Sequence, residues 1–266
     1  MLKIGIVGVG AIGQILAREL DRKQFDAELV ALTDVERDHA EKFAATLSTR
    51  PLVVSIEELL DRVDLAVEAA GQAALRDFVP AALARGRDVM IMSVGGLLGH
   101  EAWFSMAKEK GCKIYVPSGA IAGLDGIKSA SVGRIQSVVL TSRKPVAALR
   151  GSKYVLDRGI DLDGLKEEKV IFEGLAEEAA HAFPATSNVA GSLRLATDPS
   201  APVRVRIVAV PGGSRNIHDI RVEGEFGKLS VTVENVPSAN PRTSQLAAFS
   251  ALATLRNLTR ALKIGT

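Results

Sequence analysis

Residues 3–13 read Lys-Ile-Gly-Ile-Val-Gly-Val-Gly-Ala-Ile-Gly, which places the pattern G-x-G-x-x-G directly after an apolar run. The segment that follows has the apolar spacing of an amphipathic helix. In a strand–turn–helix unit, the first glycine permits a tight turn, the second lets the backbone approach a pyrophosphate, and the third lets helix and strand pack closely. The anionic group is then held at the helix N-terminus. The stretch therefore predicts a dinucleotide-binding turn made of Gly8, Gly10, Ala11, Ile12 and Gly13.

An acidic residue follows the second apolar run. Asp34 stands directly after the run Glu28–Thr33, about 20 residues beyond Gly13. A carboxylate there can accept hydrogen bonds from the adenosine ribose hydroxyls, which favours NAD as the cofactor. Arg37 is close enough in sequence to soften the repulsion of a 2′-phosphate, so NADP stays open as an alternative. Asp34 also fits a helix cap for the segment that begins at Glu36, and the two roles are compatible.

The first part of the chain alternates short β-rich runs with helical patterns, and this rhythm predicts a parallel sheet. The runs are continuously apolar, as expected of strands that helices cover on both faces. The expected strands are Lys3–Val7, Glu28–Thr33, Leu52–Val54, Leu65–Glu68, Asp88–Met92 and Lys113–Val116, and the expected helices include Ala11–Arg22, Glu36–Leu47, Ser55–Asp61 and Gln72–Arg85. The predicted fold is a doubly wound α/β domain of the Rossmann type.

After Pro117 the pattern becomes that of a smaller α+β domain. A helix is expected from Leu124 and a strand over Ser137–Ser142. Three later strands are expected over Val203–Val210, Asn216–Glu223 and Lys228–Glu234. The Pro-Gly-Gly and Gly-Glu-Phe-Gly segments between these strands predict antiparallel hairpins.

The C-terminal segment predicts a long helix that packs back on the first domain. Asn240 and Pro241 provide a cap and a first-turn proline. The apolar stripe expected along this helix is Leu246, Phe249, Leu252, Leu255, Leu258 and Leu262. The predicted domains are therefore residues 1–122 completed by 240–266, and residues 123–239.

Composition narrows the class of protein. The chain has 266 residues, 47% of them hydrophobic, so each domain can build a core. The net charge of +2 arises from 33 basic and 31 acidic residues that are interspersed, which gives no footprint for nucleic acid. The single cysteine, Cys112, excludes an internal disulfide framework and suits a reducing compartment, so we expect a cytoplasmic protein. No bound metal and no membrane-spanning or targeting segment are expected.

Three further stretches occur together: Val-Glu-Ala-Ala-Gly-Gln at 67–72, Pro-Ser-Gly-Ala-Ile-Ala-Gly-Leu-Asp at 117–125 and Asn-Ile-His-Asp at 216–219. With them the chain resembles the L-aspartate dehydrogenase family, and the likeness extends through residues 141–144, 172–174, 183–190 and 240–244. The resemblance implies NAD(P)-dependent oxidation of L-aspartate to iminoaspartate. Water converts that product to oxaloacetate and ammonia, or the product supplies NAD biosynthesis. It also implies the reverse reductive amination, and a homodimer whose second domain carries catalysis and dimerisation.

The resemblance assigns three residues to the site. The family's catalytic histidine matches His218, and its two cofactor contacts on the nicotinamide side match Ala120 and Asn188. The segment 151–169 is longer than in compact members of the family, so contacts from that neighbourhood are not carried over.

Amino-acid oxidation requires a group that moves protons, and histidine suits this work because its pKa lies near 6.5 in water. His39 and His181 fall in helical patterns beside charged residues, and His100 precedes a helix start. His218 falls on a strand, on the face of Ile220. Periodicity alone favours a structural core histidine at position 218, whereas the resemblance favours the catalytic role. Asp219 points to the opposite strand face, so the partner that orients the ring stays open.

A dicarboxylate substrate needs cationic or N–H donors. The basic residues nearest the implicated segments are Arg143, Lys144 and Arg215, each of which also fits a solvated surface charge. The segment Ser93–Gly96 follows the fifth strand, at the sheet edge where ligands bind, and its backbone is expected to line the nicotinamide pocket.

Two other hypotheses about the function stay open. One is another two-domain reductase, although sugar-type enzymes show Glu-Lys-Pro where this chain has Met-Ser-Val at 92–94, and the paired histidines of dihydrodipicolinate reductase are missing. The other is a dinucleotide-binding sensor that uses the same turn without turnover.

Overall fold

The computed structural model describes residues 1–23, 26–184, 187–236 and 244–265. The chain forms two compact units of similar length. The first comprises residues 1–117 and 248–263, and the second comprises residues 118–247 and 264–266. The domain boundaries expected at 122/123 and 239/240 stay a prediction. Within the described ranges, no helix is both long enough and apolar enough to cross a bilayer.

The first unit is built on a parallel sheet. Its strands are β1 (Leu2–Val7), β2 (Ala27–Thr33), β3 (Leu52–Val53), β4 (Leu65–Glu68), β5 (Asp88–Ile91) and β6 (Ile114–Tyr115). They pair in the order β3-β2-β1-β4-β5-β6, and every pair is parallel. The strand order reverses between β1 and β4, which is the point where such sheets bind ligands. The predicted doubly wound fold is confirmed.

Helices cover both faces of this sheet. They are α1 (Ala11–Asp21), α2 (Arg37–Ala44), α3 (Ile56–Leu60), α4 (Gln72–Ala84) and α5 (Glu101–Lys110), with one 3-10 turn at Val94–Leu97. Neighbouring residues of a strand point to opposite faces. Val67 of β4 accordingly packs in the cluster that contains Leu16 of α1, whereas Ala66 packs in the cluster that contains Phe78 of α4. This double burial explains why the strands are continuously apolar.

In its described residues, the second unit is a mixed five-stranded sheet with five short helices. The strands are β7 (Ile135–Pro145), β8 (Lys169–Leu175), β9 (Val203–Val210), β10 (Asn216–Gly224) and β11 (Gly227–Asn235), and the helices are α6 (Leu124–Ala130), α7 (Val146–Leu149), α8 (Lys153–Asp157), α9 (Ala176–Ala182) and α10 (Asn188–Ala196). The strand order is β11-β10-β7-β9-β8. Only β7 and β9 run parallel. The predicted α+β class is confirmed.

The hairpin predicted at Pro-Gly-Gly is wrong. β10 and β11 do form an antiparallel hairpin, but β9 and β10 are not neighbours, because β7 lies between them and pairs with both. β7 is longer than the predicted Ser137–Ser142, and its alternate residues, including Val138 and Leu140, are buried. In its central position β7 pairs its backbone N–H and C=O groups along both edges, whereas an edge strand leaves one row of them unpaired.

The last helix, α11 (Gln245–Thr259), contributes its later part to the first unit, as predicted. Its buried face differs from the predicted stripe: Ala248, Ala251 and Leu255 are buried, whereas Leu246 and Phe249 are exposed. All but the last step of the predicted stripe span three residues, and such steps drift around a helix of 3.6 residues per turn. The predicted cap at Asn240 and Pro241 lies outside the described residues.

Candidate active site

The glycine turn of the first unit has the geometry that its sequence demands. Gly8 has φ +96°, a conformation that side-chain-bearing residues rarely adopt. A Cβ at Gly13 would lie 1.9 Å from the carbonyl oxygen of Gly8, so only glycine lets α1 start this close to β1. A Cβ at Gly10 would meet no protein atom within 4 Å. Open space therefore faces the first helical turn, where Ala11 and Ile12 begin α1, and the N-terminus of a helix is a position that favours anions.

Asp34 supports the turn directly. Its Oδ2 accepts a 2.6 Å hydrogen bond from the backbone N–H of Val9, and its Oδ1 accepts one of 2.9 Å from the N–H of Glu36. The carboxylate therefore joins the loop after β2 to the glycine turn. Asp34 is only half-buried, so its remaining lone pairs can face ribose hydroxyls.

Two basic side chains of α2 flank the same region. Arg37 pairs with Glu41 on the helix surface, with 2.8 Å between Nε and Oε1. The Nε2 of His39 lies 3.2 Å from the carbonyl oxygen of Val9 and also 3.2 Å from the side-chain nitrogen of Gln14. The sequence suggested only a solvated role for His39, yet its ring contacts the glycine turn.

A buried carboxylate joins the loops that follow β4 and β5. Oε1 of Glu68 accepts hydrogen bonds of 2.8 Å from the N–H groups of Ala70 and Gly71 and from the hydroxyl of Ser93, and Oε2 accepts one of 3.0 Å from the N–H of Ser93. Burial raises the pKa of the Glu68 carboxyl, while these hydrogen bonds act in the opposite direction. The loop after β4 also lies close against the glycine turn, since a Cβ at Gly8 would lie 2.6 Å from the carbonyl carbon of Ala69.

The candidate catalytic histidine lies on the buried face of the second sheet. His218 is 3% exposed, and its Nδ1 is 2.9 Å from Oγ of Ser142, the residue opposite it on β7. It shares its face with Ile220, as periodicity predicted. Ser142 is therefore the partner that orients the ring, which the sequence left open.

Lys144 lies two residues beyond Ser142 on β7 and is also buried on this face. Diagonal neighbours on adjacent antiparallel strands are about 7–8 Å apart, within reach of a lysine side chain. Burial lowers the pKa of Lys144 to about 8. The pKa of His218 is lowered to about 3, chiefly by burial and also by the charge of Lys144, while Asp219 opposes the shift. Both side chains are therefore held in a setting that disfavours their cationic forms.

Arg143 and Arg215 are placed elsewhere. Arg143 projects from the opposite face of β7, where it pairs with Glu168 at 3.2 Å and with Asp219. Arg215 is half-exposed and pairs with Glu234 at 3.1 Å. Of the three basic residues predicted to bind substrate, only Lys144 shares a sheet face with His218.

The two residues assigned to the nicotinamide side belong to the second unit. The carbonyl oxygen of Ala120 accepts a 3.0 Å hydrogen bond from the side-chain amide of Asn235, whose own oxygen accepts one of 2.5 Å from Ser244. Asn188 is the first residue of α10. Asn235 is buried at the end of β11, and the sequence analysis did not single it out.

Sequence reasoning also missed Glu68 and Ser142. The signal for Glu68 was available, because a carboxylate that ends an otherwise apolar parallel strand is rare unless it is hydrogen-bonded. The signal for Ser142 required the register between β7 and β10, which the sequence does not give. Within the described residues, no group of His, Cys, Asp and Glu side chains is arranged to hold a metal ion.

The fold and the glycine turn together define a class of protein, the nicotinamide-dependent oxidoreductases built from a dinucleotide-binding unit and a separate mixed-sheet unit. Solved structures of this class share the fold. The aspartate dehydrogenase of Thermotoga maritima matches with a TM-score of 0.74 at 26% identity, covering 100% of both chains. A myo-inositol dehydrogenase of Lactobacillus casei matches with a TM-score of 0.60 at 16% identity over 97% of this chain and 84% of that one, a likeness of fold alone.

Sequence comparisons specify the family. Residues 125–258 match the model of the aspartate dehydrogenase C-terminal domain, and residues 8–117 match the NAD-binding domain of homoserine dehydrogenase. The L-aspartate dehydrogenase of Methanosarcina mazei is 49% identical over 100% of both chains, and that of Bradyrhizobium diazoefficiens is 38% identical over 100% of this chain and 94% of its own. The chain belongs to the L-aspartate dehydrogenase family.

Proposed function

We propose that the chain oxidises L-aspartate to iminoaspartate with NAD, and with NADP as an alternative, and that it catalyses the reverse reductive amination. The observation that carries the proposal is the cluster of His218, Ser142 and Lys144 on one buried sheet face of a chain from this family. In the forward direction, aspartate, NAD(P)+ and water yield oxaloacetate, ammonia, NAD(P)H and a proton. Iminoaspartate released before hydrolysis would supply NAD biosynthesis.

The first unit is proposed to hold the cofactor. The N–H groups at the start of α1 face the open space beside Gly10, which suits the pyrophosphate, and Asp34 suits the adenosine ribose. Ala120 and Asn188 are proposed to contact the nicotinamide side. When bound, the nicotinamide ring accepts the hydride from the substrate Cα. A carboxylate at position 34 repels a 2′-phosphate, which is why NAD is the proposed preference.

His218 is proposed to move the proton during hydrolysis of the imine. When its Nδ1–H donates to Ser142, the lone pair of Nε2 is free to accept a proton from the attacking water. The low pKa of His218 keeps the ring neutral before substrate binds. A dicarboxylate nearby would favour the cationic ring and raise this pKa toward the working range.

Lys144 is proposed to bind a substrate carboxylate, because it is the cation on the face of His218 and has no ion pair among the described residues. Arg143 and Arg215 stay predictions, and both side chains already pair with carboxylates. We also propose that the chain forms the homodimer that the family resemblance implies, and that it is cytoplasmic. The free thiol of Cys112 is compatible with a reducing compartment.

The proposal is tested with a panel of amino acids, each assayed with NAD and with NADP. The absorbance of the reduced nicotinamide measures turnover. We expect L-aspartate to be the preferred substrate, and oxaloacetate with ammonia to oxidise the reduced cofactor. Inositols and homoserine serve as controls for the related dehydrogenases. Turnover of a control substrate without turnover of aspartate would contradict the proposal, and binding of NAD without any turnover would favour the sensor.

A further inference from the structure

Glu68 is placed unlike any other carboxylate described in the chain. It ends β4, is 0% exposed, and receives four hydrogen bonds from the loops after β4 and β5. Its partners are three backbone N–H groups and one hydroxyl. An ionised carboxylate only accepts hydrogen bonds, so this donor set matches the charged form. A glutamine amide would place its NH2 group against at least one N–H donor.

No positive charge neutralises this carboxylate in the part of the chain that the structure describes. None of the ion pairs there includes Glu68, and its environment is set by burial and by hydrogen bonds from Gly71, Ser93 and Ala70. A buried charge without a counter-ion costs free energy that hydrogen bonds offset only in part. Such a group is well suited to a cation that is present in one state of the site and lost in the other.

The position of Glu68 in the sheet indicates which cation this is. Doubly wound sheets bind a dinucleotide as two mononucleotide halves on either side of the switch point. Asp34 follows β2 and marks the adenosine half, so β4 and β5 belong to the nicotinamide half. The nicotinamide ring carries a positive charge when oxidised and none when reduced.

We propose that Glu68 is a positioning residue that fixes the two loops of the nicotinamide half, and that its negative charge favours binding of the oxidised dinucleotide over the reduced one. The proposal depends on the proposed function only for the identity of the cofactor. It does not depend on which substrate is oxidised.

The test compares the dissociation constants of NAD+ and NADH for the unaltered chain, Glu68→Gln and Ser93→Ala. Glu68→Gln removes the charge and keeps the size of the side chain. Ser93→Ala removes one hydrogen bond to the same carboxylate and keeps the charge. Calorimetry without substrate gives both constants. If Glu68→Gln is unstable alone, it is purified with ADP-ribose, and both dinucleotides are measured by displacement. ADP-ribose competes equally with both, so their affinity ratio is preserved, and bound ligand stabilises the fold.

We expect Glu68→Gln to lower the ratio of NAD+ affinity to NADH affinity by about five-fold or more, because a charge–charge attraction is lost for only one ligand. Ser93→Ala should keep the ratio of the unaltered chain. An unchanged ratio in Glu68→Gln, or an equal change in Ser93→Ala, would overturn the proposal. A chain that passes this test but does not turn over aspartate would contradict the proposed substrate and leave the role of Glu68 standing.

Discussion

His218 and Lys144 occupy buried positions, in which a positive charge on either side chain lowers the stability of the fold. Both are buried on a sheet face that also carries Leu140 and Ile220, and desolvation disfavours a charge on either side chain. Valine or leucine at these two positions would satisfy the core better. Side chains that cost stability in this way are typical of sites selected for function, and each can be tested separately.

The first prediction is that His218→Ala lowers kcat for aspartate by about 100-fold or more and leaves the affinity for NAD nearly unchanged. The alanine removes the proposed proton acceptor, whereas the glycine turn and Asp34 lie in the other unit. Steady-state kinetics, NAD titration and thermal unfolding are measured on the same preparation.

His181→Ala is the matched control, because His181 is an exposed histidine of the same unit. A purely structural His218 would give a different outcome. Its loss would then reduce the free energy of unfolding by about 1–3 kcal/mol, while the folded fraction would turn over aspartate at the normal rate.

The second prediction concerns Lys144→Met, which should raise the KM for aspartate and also stabilise the protein at pH 7. A pKa lowered from 10.5 to about 8 corresponds to about 3 kcal/mol at 1.36 kcal/mol per unit, so we expect a gain of about 1–3 kcal/mol. Between pH 8 and 10.5 the unfolded chain binds a proton that the folded chain does not. The unaltered protein should therefore gain stability as pH rises through this window, and the variant should not.

Urea unfolding between pH 7 and 10.5 measures this difference, with Lys166→Met, an exposed lysine of the same unit, as the control. Equal pH dependence in the Lys144 and Lys166 variants would place the Lys144 ammonium in water rather than in the core.

The third prediction is that Asp34→Ala weakens both dinucleotides and weakens NAD more than NADP. The affinity for both dinucleotides falls because the carboxylate of Asp34 accepts a hydrogen bond from the N–H of Val9 in the glycine turn. NAD also loses ribose hydrogen bonds, whereas NADP is relieved of charge repulsion. The expected change in relative affinity is about 1–3 kcal/mol, from titrations with both cofactors. Asp38→Ala, an exposed carboxylate of α2, is the control, and an unchanged preference would leave Asp34 as a support for the turn only.

At the residue scale, the sequence could identify which side chains are able to carry the chemistry, but not which side chains lie next to one another. Adjacent basic residues on a strand, Arg143 and Lys144, must point to opposite faces, yet only the pairing of β7 with β10 determines which face carries His218. The same pairing places Ser142 beside the histidine. Non-local register of this kind depends on contacts across the sheet, so single-sequence patterns do not contain it.

At the scale of elements, the fourth prediction concerns the glycine turn that connects β1 to α1. Gly13→Ala should reduce the free energy of unfolding by about 1–3 kcal/mol, because its Cβ would overlap the carbonyl oxygen of Gly8. Gly10→Ala should change stability by less than about 1 kcal/mol, since its Cβ enters open space, but should weaken NAD binding about ten-fold or more. Chemical unfolding and NAD titration of both variants test the pair. Normal NAD affinity in Gly10→Ala would exclude this space as the pyrophosphate site.

The elements of the first unit were predictable because each follows from local pattern. β4 begins and ends where predicted, and the helix expected from Ser55 forms as α3, with Ser55 as its N-cap and Glu58 as the reciprocal partner of that cap. The second unit was harder. β8 carries two exposed residues at its start and gave no clear apolar signal, and the central position of β7 depends on long-range pairing.

At the scale of the whole molecule, the fifth prediction is that Leu255→Ala destabilises the first unit by about 2–5 kcal/mol. Leu255 of α11 is fully buried and packs in the core cluster that contains Ile4 and Leu16. Leu262→Ala is the matched control, because Leu262 is 70% exposed, and it should change stability by less than about 0.5 kcal/mol. Similar unfolding midpoints for the two variants would mean that α11 is dispensable for the core.

The return of the chain to its first unit through α11 has a consequence for biosynthesis. The ribosome emits residues 118–247 after most of the first unit but before the later part of α11. The second unit is therefore the first to have nearly all of its chain available, although domains usually fold in N-terminal order. Until the later part of α11 is made, the core cluster of the first unit lacks Ala251 and Leu255, so we expect the apolar residues around Leu16 to stay incompletely buried through most of translation.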